Sequence, residues 1–357
     1  MKAFLILTTG RTGSDYLNYC LDGLNNVITF SGKFKIDDFF SNKFEKIKKE
    51  KLLSIFLKKY RFLIKENKEE RIKLNINIDR FKKNFLLINK KNYLNRREFI
   101  LNLYKSYHET IGRKIGKNFC FIHHSHSVIE TKKALEDFPN AKIFVTIRHP
   151  LANLKSGLIN WFKYDKSKNN LNHILFYLYR VRKDLKFANK LDNKKLFIKL
   201  EEANEKQTKI KICKFLGIKF NKKIFKATVA GIPWQSDSLS RFKSRKGEYV
   251  NQVKDNKWVS FFDKNEINLL SFIYRDYNKF GYNMENFLTK NKIYIFFYIF
   301  KKLSFEKMII NKLSFEKMII NKLSNLNYYN FKYLYLRKIY FLLIFFKLDN
   351  LFKLRGY

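Results

Sequence analysis

The opening of the chain, MKAFLILTTGRTGSDYL, leaves little freedom in how it can fold. Residues 3–7 (AFLIL) form an uninterrupted apolar run, the signature of a buried strand. The run ends in Thr8-Thr9 and Gly10-Arg11-Thr12-Gly13-Ser14, after which Tyr16, Leu17, Tyr19, Cys20, Leu21 and Leu24 follow at helical spacing. A strand that breaks in a glycine-containing turn and restarts as a helix gathers several unbonded backbone N–H groups at the helix N-terminus. That is a seat for a phosphate or sulfate group. The two glycines let the backbone approach an anion closely, Arg11 adds fixed charge, and Thr12 and Ser14 add hydroxyls. The alternative is a strand–turn–helix with no ligand. A Walker loop is excluded, because the GxxxxGK[ST] spacing is missing.

A second strand-to-helix junction lies about 130 residues on. Residues 141–147 (AKIFVTI) predict a buried strand that runs into Arg148-His149-Pro150, with Pro150 suited to a first helical turn. Arg148 then stands at a strand's carboxyl end and Ser156 two turns along the next helix, where ligands of open parallel sheets bind. Taken singly, Arg148 reads as a surface salt-bridge residue and Ser156 as a small packing residue. A third basic segment, residues 242–247, reads Phe-Lys-Ser-Arg-Lys-Gly and contributes Arg245, Lys246 and Gly247. Residues 195–202 (KLFIKLEE) predict another core strand, and Gly217 a helix stop after residues 212–216.

These segments together resemble the bacterial, carbohydrate-directed members of the sulfotransferase family that uses 3′-phosphoadenosine 5′-phosphosulfate as donor. The resemblance covers roughly residues 1–285, and residues 266–282 are similar to the family's closing helix. It implies an α/β fold: a parallel β-sheet flanked by helices, P-loop-like and nucleotide-binding. It also implies that Gly10, Arg11, Thr12, Gly13, Ser14 and Asp15 hold the 5′-phosphosulfate. Arg148, Ser156, Arg245, Lys246 and Gly247 would hold the 3′-phosphate, Arg as a fork and Lys as a point charge. One departure is the stretch of residues 248–257, which delays the expected tryptophan to Trp258.

Sulfuryl transfer moves an SO3-like group in line to an acceptor oxygen or nitrogen, so positioning and charge stabilisation supply most of the catalysis. Arg11 stands where other family members carry Lys and, always charged, is expected to act electrostatically. The acceptor hydroxyl needs a base. Residues 119–126 (FCFIHHSH) predict a strand with His124 and His126 on one face. The resemblance puts His126 at the interval before Arg148 that the catalytic histidine occupies in animal cytosolic sulfotransferases, with His124 where those enzymes have Lys. Imidazole suits general-base work near neutral pH. The bacterial carbohydrate enzymes commonly use a Glu after the first helix, but Lys33 stands there, which leaves the histidines first and Asp37 and Asp38 as substitutes. Along the chain no Cys, Asp or Glu accompanies the histidines at ligand spacing, so no metal is expected.

The net charge of +43 would suit nucleic acid or an anionic membrane, though it is spread along the whole chain in a Lys-, Asn- and Ile-rich composition. No RNP-type or helix-turn-helix pattern supports a nonenzymatic nucleic-acid binder. A kinase with a variant phosphate loop lacks a magnesium-binding Asp. The implied partners are the small-molecule donor and a hydroxyl of a glycan or glycolipid. Three scattered cysteines and a first apolar run too short for a signal peptide predict a cytoplasmic protein.

Residues 1–285 are read as the sulfotransferase domain, with 34–110 a helical insertion, either an acceptor-recognition element or a solvated cap. Residues 286–357 form a basic, aromatic-rich helical extension in which KLSFEKMIIN occurs twice in tandem, at 302–311 and 312–321. Its short apolar runs cannot span a bilayer but suit peripheral contact on the cytoplasmic face. The alternative is a helical cap or oligomerisation segment.

Overall fold

A computed structural model describes residues 1–8, 10–40, 44–67, 72–164, 170–236, 247–248, 258–288, 292–304, 306 and 324–348. The chain divides into two compact units: Met1–Ile147 with Phe187–Val253, and Arg148–Lys186 with Lys254–Tyr357.

The first unit is built on a five-stranded sheet. Its strands are β1 (Lys2–Thr8), β2 (Val27–Ile28), β3 (Cys120–Ser125), β4 (Lys142–Ile147) and β5 (Lys195–Lys199). The order across the sheet is β2-β3-β1-β4-β5, and every pair is parallel. The expected α/β class with a parallel sheet flanked by helices is therefore what the chain forms. Phe4, Leu5, Ile6 and Leu7 of β1 are wholly buried, as are Ile143, Phe144, Val145 and Ile147 of β4. Strands covered on both faces need such continuous apolar runs. Because β1 is central, the chain goes to one side of it through β2 and β3 and to the other through β4 and β5. That reversal of strand order is where ligands of such sheets bind, beyond the carboxyl ends.

Helix α1 (Ser14–Asp22) follows β1 and packs through Leu17, Cys20 and Leu21. Residues 34–110 contain α2 (Lys49–Tyr60), α3 (Ile78–Ile88) and α4 (Arg96–Thr110), the last opened by an Asn95–Glu98 capping box. Their aromatic rings join the unit's own core instead of forming a solvated cap. Phe30 packs on Tyr104 and Tyr107 at 4.9 and 4.8 Å, and Phe39 stacks on Phe99 at 5.3 Å. Helix α5 (Val128–Asp137) follows β3, and Gly217 at φ 73° stops α8 (Lys206–Leu216), as the sequence predicts.

In the second unit, α6 (Pro150–Tyr164) begins with its proline, α7 (Asn170–Lys190) supplies its residues up to Lys186, and α9 (Lys264–Ile273), α10 (Lys292–Ile299) and α11 (Ser324–Phe345) complete the helices named here. The Tyr274 and Tyr277 hydroxyls donate to the Leu178 and Val181 carbonyls of α7 (3.0 and 2.9 Å). Arg337 and Glu306 form a fully buried ion pair at 2.7 Å, joined by the Tyr333 hydroxyl. The C-terminal extension thus has buried polar anchors of its own. Most of the tandem decapeptide, including all of its second copy, lies outside the described residues. No described helix is long and apolar enough to cross a membrane.

Candidate active site

Beyond Thr8 the backbone leaves the sheet in a tight turn. Gly10, Arg11 and Gly13 take φ values of 76°, 42° and 77°. Left-handed backbone is natural for glycine, whereas at Arg11 it is strain of the kind held at functional sites. A Cβ on Gly13 would also collide with Leu200 Cδ1. Successive left-handed residues at a helix N-terminus form a concavity of N–H groups, the geometry that holds anions.

A line of hydroxyls fastens this turn to the sheet. The Gly10 N–H donates to Thr8 Oγ1 (3.0 Å). Thr8 Oγ1 lies 2.9 Å from Thr12 Oγ1, which lies 2.7 Å from Thr146 Oγ1 on β4. Thr12 is 1% exposed, and its hydroxyl holds the turn together through Thr8 and Thr146. Ser14 is buried as the first residue of α1. Arg11 is half-buried beside the turn.

Asp15, expected among the donor-binding residues, directs its carboxylate to the histidines at the end of β3. Register with β1 places His124 opposite Ile6 at the carboxyl end of β3, and His126 follows immediately after the strand. Asp15 Oδ1 lies 3.6 Å from His124 Nδ1 and 3.6 Å from His126 Nε2, and these two nitrogens are 3.3 Å apart. The two rings lie side by side, with centroids at 4.1 Å. Burial alone would raise the Asp15 carboxyl, but Lys33, His124 and Arg11 hold it below its ordinary value. The Lys33 Nζ is 4.0 Å from Asp15 Oδ1. Burial, with Lys33 adding and Asp15 opposing, lowers His124 to about 4, so its ring is neutral at neutral pH. The neighbouring His123 belongs to the interior: Tyr104 Oη sits 2.9 Å from its Nδ1, and burial lowers it to about 3.

Two contributors escaped the sequence reading. Asp15 meets the histidines through space, from a different element, so no spacing along the chain reveals it. Glu130 was legible. Ser127-Val128-Ile129-Glu130 is the S-x-x-E pattern of a capped helix start. Ser127 accepts the Glu130 N–H (3.1 Å) while Glu130 Oε2 accepts the His126 backbone N–H (2.5 Å), which fixes the backbone that carries the imidazole. Burial raises the Glu130 carboxyl to about 7. Of the substitutes, Asp38 is paired with Lys59 at the surface (2.8 Å), and Asp37 adds to the field that raises Glu130.

In the second unit Arg148 follows β4 directly and is half-buried, as is Ser156 within α6. Between them the His149 ring stacks on Trp258 at 4.4 Å and meets the edges of Tyr282 and Phe287. Gly157 packs so tightly on the Tyr177 ring that a Cβ would overlap it. Gly247, in the first unit, takes φ 77°, and its carbonyl accepts the Ala227 N–H at 2.9 Å. Arg245 and Lys246 lie outside the described residues.

No protein-family model matches the chain, and no curated protein does. Solved structures do. The sulfotransferase domain of the Synechococcus PCC 7002 olefin synthase superposes with a TM-score of 0.51 at 15% identity, over 79% of this chain and 94% of that one. The sulfotransferase domain of the curacin biosynthetic pathway gives a TM-score of 0.47 at 14% identity, over 79% and 98%. At this identity the likeness concerns architecture. With its central β1, its parallel sheet and its glycine turn at the sheet's carboxyl edge, the chain has the fold of a sulfotransferase domain.

Proposed function

We propose that the protein transfers a sulfuryl group from 3′-phosphoadenosine 5′-phosphosulfate to a hydroxyl of a carbohydrate or glycolipid. The observation that carries this reading is the turn itself: Gly10, Arg11 and Gly13 in left-handed backbone at the carboxyl end of the central strand, opening α1. The 5′-phosphosulfate is assigned to the N–H groups of residues 10–15, with Arg11 countering charge as the bridging oxygen departs. Arg148 and Ser156, with Arg245, Lys246 and Gly247, are assigned the 3′-phosphate.

The acceptor's proton passes to the histidine pair. His126 is the base in this reading because its side chain is 23% exposed, against 4% for His124. The sugar acceptor is favoured by the resemblance of GRTGS to carbohydrate enzymes and by the basic chain.

Thermal-shift titration tests the donor. Adenosine 3′,5′-bisphosphate is expected to stabilise the protein well and ATP poorly, each lost charge-assisted contact costing about 1.5–3 kcal/mol. Equal stabilisation by both would sink the reading. Labelled-sulfate transfer onto a panel of glycans and hydroxylated lipids then names the acceptor class.

A peripheral membrane contact is proposed for the extension, on the strength of exposed Ile293, Phe297, Tyr335 and Phe346 beside basic residues. Replacing Ile293 and Phe297 by Ser should weaken binding to anionic vesicles and leave nucleotide affinity unchanged. No vesicle binding by the intact chain removes the idea.

A further inference from the structure

We propose that Asp15, His124 and His126 form a binding site for one divalent cation of the zinc type, in reversible competition with the base of the proposed reaction. The geometry sets this trio apart from an ordinary polar cluster. At 3.6 Å neither nitrogen is hydrogen-bonded to Asp15 Oδ1. That oxygen is buried with no hydrogen-bond partner among the described residues. The two imidazole nitrogens are within hydrogen-bond range of each other, and the carboxylate oxygen faces both from just beyond that range, with Lys33 Nζ at 4.0 Å. As a face of a coordination tetrahedron the arrangement makes sense. For three atoms separated by 3.3, 3.6 and 3.6 Å, the centre of a tetrahedron built on them lies about 2.1 Å from each, within the range of Zn–N and Zn–O bonds.

The donor set narrows the ion. Two imidazoles and one carboxylate suit zinc and its first-row neighbours, whereas magnesium and calcium call for oxygen ligands. The ligands come from the first turn of α1 and the end of β3, with the His126 backbone tied to Glu130, so the trio is held by regular elements. Asp15 and His126 are partly exposed, which leaves a side open for a fourth ligand. Lys33 at 4.0 Å and the nearby Arg11 charge oppose a dication. The ion therefore binds more weakly than in a structural zinc site and exchanges. When it is bound, the lone pair of His126 is engaged and cannot take a proton. This inhibitory consequence rests on the proposed sulfuryl transfer; the cation site does not.

Untagged full-length protein dialysed against zinc chloride is expected to retain one zinc per chain, and cobalt in its place to give the visible absorption of a four-coordinate ion. His126→Ala and Asp15→Asn should each weaken zinc binding about tenfold or more, and Lys33→Met should strengthen it, with circular dichroism showing each fold intact. If one of these variants does not fold, the other two decide. Wild type that holds no zinc, or binding unchanged in both ligand variants, overturns the site. Zinc inhibition of sulfuryl transfer that a chelator reverses supports both readings. Zinc bound with turnover undiminished keeps the cation site and removes His126 as the base.

Discussion

Helix α1 carries an aspartate at each end, and the two could hardly be treated more differently. Asp22, its last residue, is saturated. Arg113 grips it with Nη1 on Oδ1 at 2.8 Å and Nη2 on Oδ2 at 2.9 Å. Thr29 Oγ1 donates to Oδ1 (3.1 Å), while Thr228 Oγ1 and the Gly231 N–H donate to Oδ2 (2.8 and 3.3 Å). A carboxylate at a helix C-terminus opposes the helix dipole, so it needs this company. A cavity of about 640 Å³ borders that end, but its one acid is already fully engaged. Asp15, in the first turn, has the dipole in its favour. Its Oδ1 nonetheless has no hydrogen bond, and the two histidine nitrogens and Lys33 Nζ stand around it at 3.6, 3.6 and 4.0 Å. The fold completes the carboxylate it uses for structure and leaves incomplete the one beside the candidate chemistry.

Breaking the saturated end should have the largest effect. Arg113→Ala leaves Asp22 buried and uncompensated, and is expected to cost about 3–5 kcal/mol in urea unfolding. Turnover per folded molecule should be unchanged. A loss below 1 kcal/mol would show that Asp22 is not an anchor.

At the open end the expected damage is kinetic. His126→Ala should lower turnover by at least about a hundredfold, or ~2.7 kcal/mol of barrier, with donor binding nearly intact. Arg11→Ala should reduce turnover and weaken donor binding together. Normal turnover in His126→Ala would move the base to His124, Asp37 or Asp38.

Glu130 brings a pH test. Its carboxyl is raised from 4.5 to about 7 by burial, so the folded state favours the protonated form. The stabilisation it gives is complete below about pH 4.5 and lost as pH rises through about 7. Glu130→Gln should remove that loss, so that at pH 8 the variant exceeds wild type by about 3 kcal/mol. Parallel stability–pH curves for the two proteins would refute the assignment. His124 runs the other way. Lowered to about 4, it contributes stability above about pH 6.5 that is lost as pH falls through 4.

The smallest effect is reserved for Asp15→Asn, expected to change unfolding free energy by less than about 1 kcal/mol. A cost as large as that of Arg113→Ala would erase the distinction between the two ends.

Which parts of this were readable in the chain follows from how local each one is. The strand–turn–helix at residues 2–22, the strands of residues 120–125 and 142–147, and the stop at Gly217 are set by short runs of apolar residues and glycines. The Thr12 hydroxyl's partner Thr146 comes from β4, so no pattern in the glycine turn reveals it. The pairings of Asp15 with the histidines and of Asp22 with Arg113 join distant parts of the chain. Periodicity cannot see them. Residues 34–110 read either as an acceptor-recognition element or as a solvated cap, because their lysines hide the count of inward rings. Phe34, Phe56 and Phe99 are each at most 1% exposed.

The central place of β1 has a consequence for how the molecule comes into being. The chain's first strand finds its two neighbours more than a hundred residues downstream, Lys2 beside Cys120 and Thr8 beside Thr146. On the ribosome, an apolar ribbon ending in the candidate anion turn must wait, both edges unpaired, while the whole insertion is made. Non-local parallel pairing of this kind folds slowly and leaves such ribbons open to wrong partners. The segment that defines the candidate active site is thus made well before the strands that pair with it and is among the last to be secured.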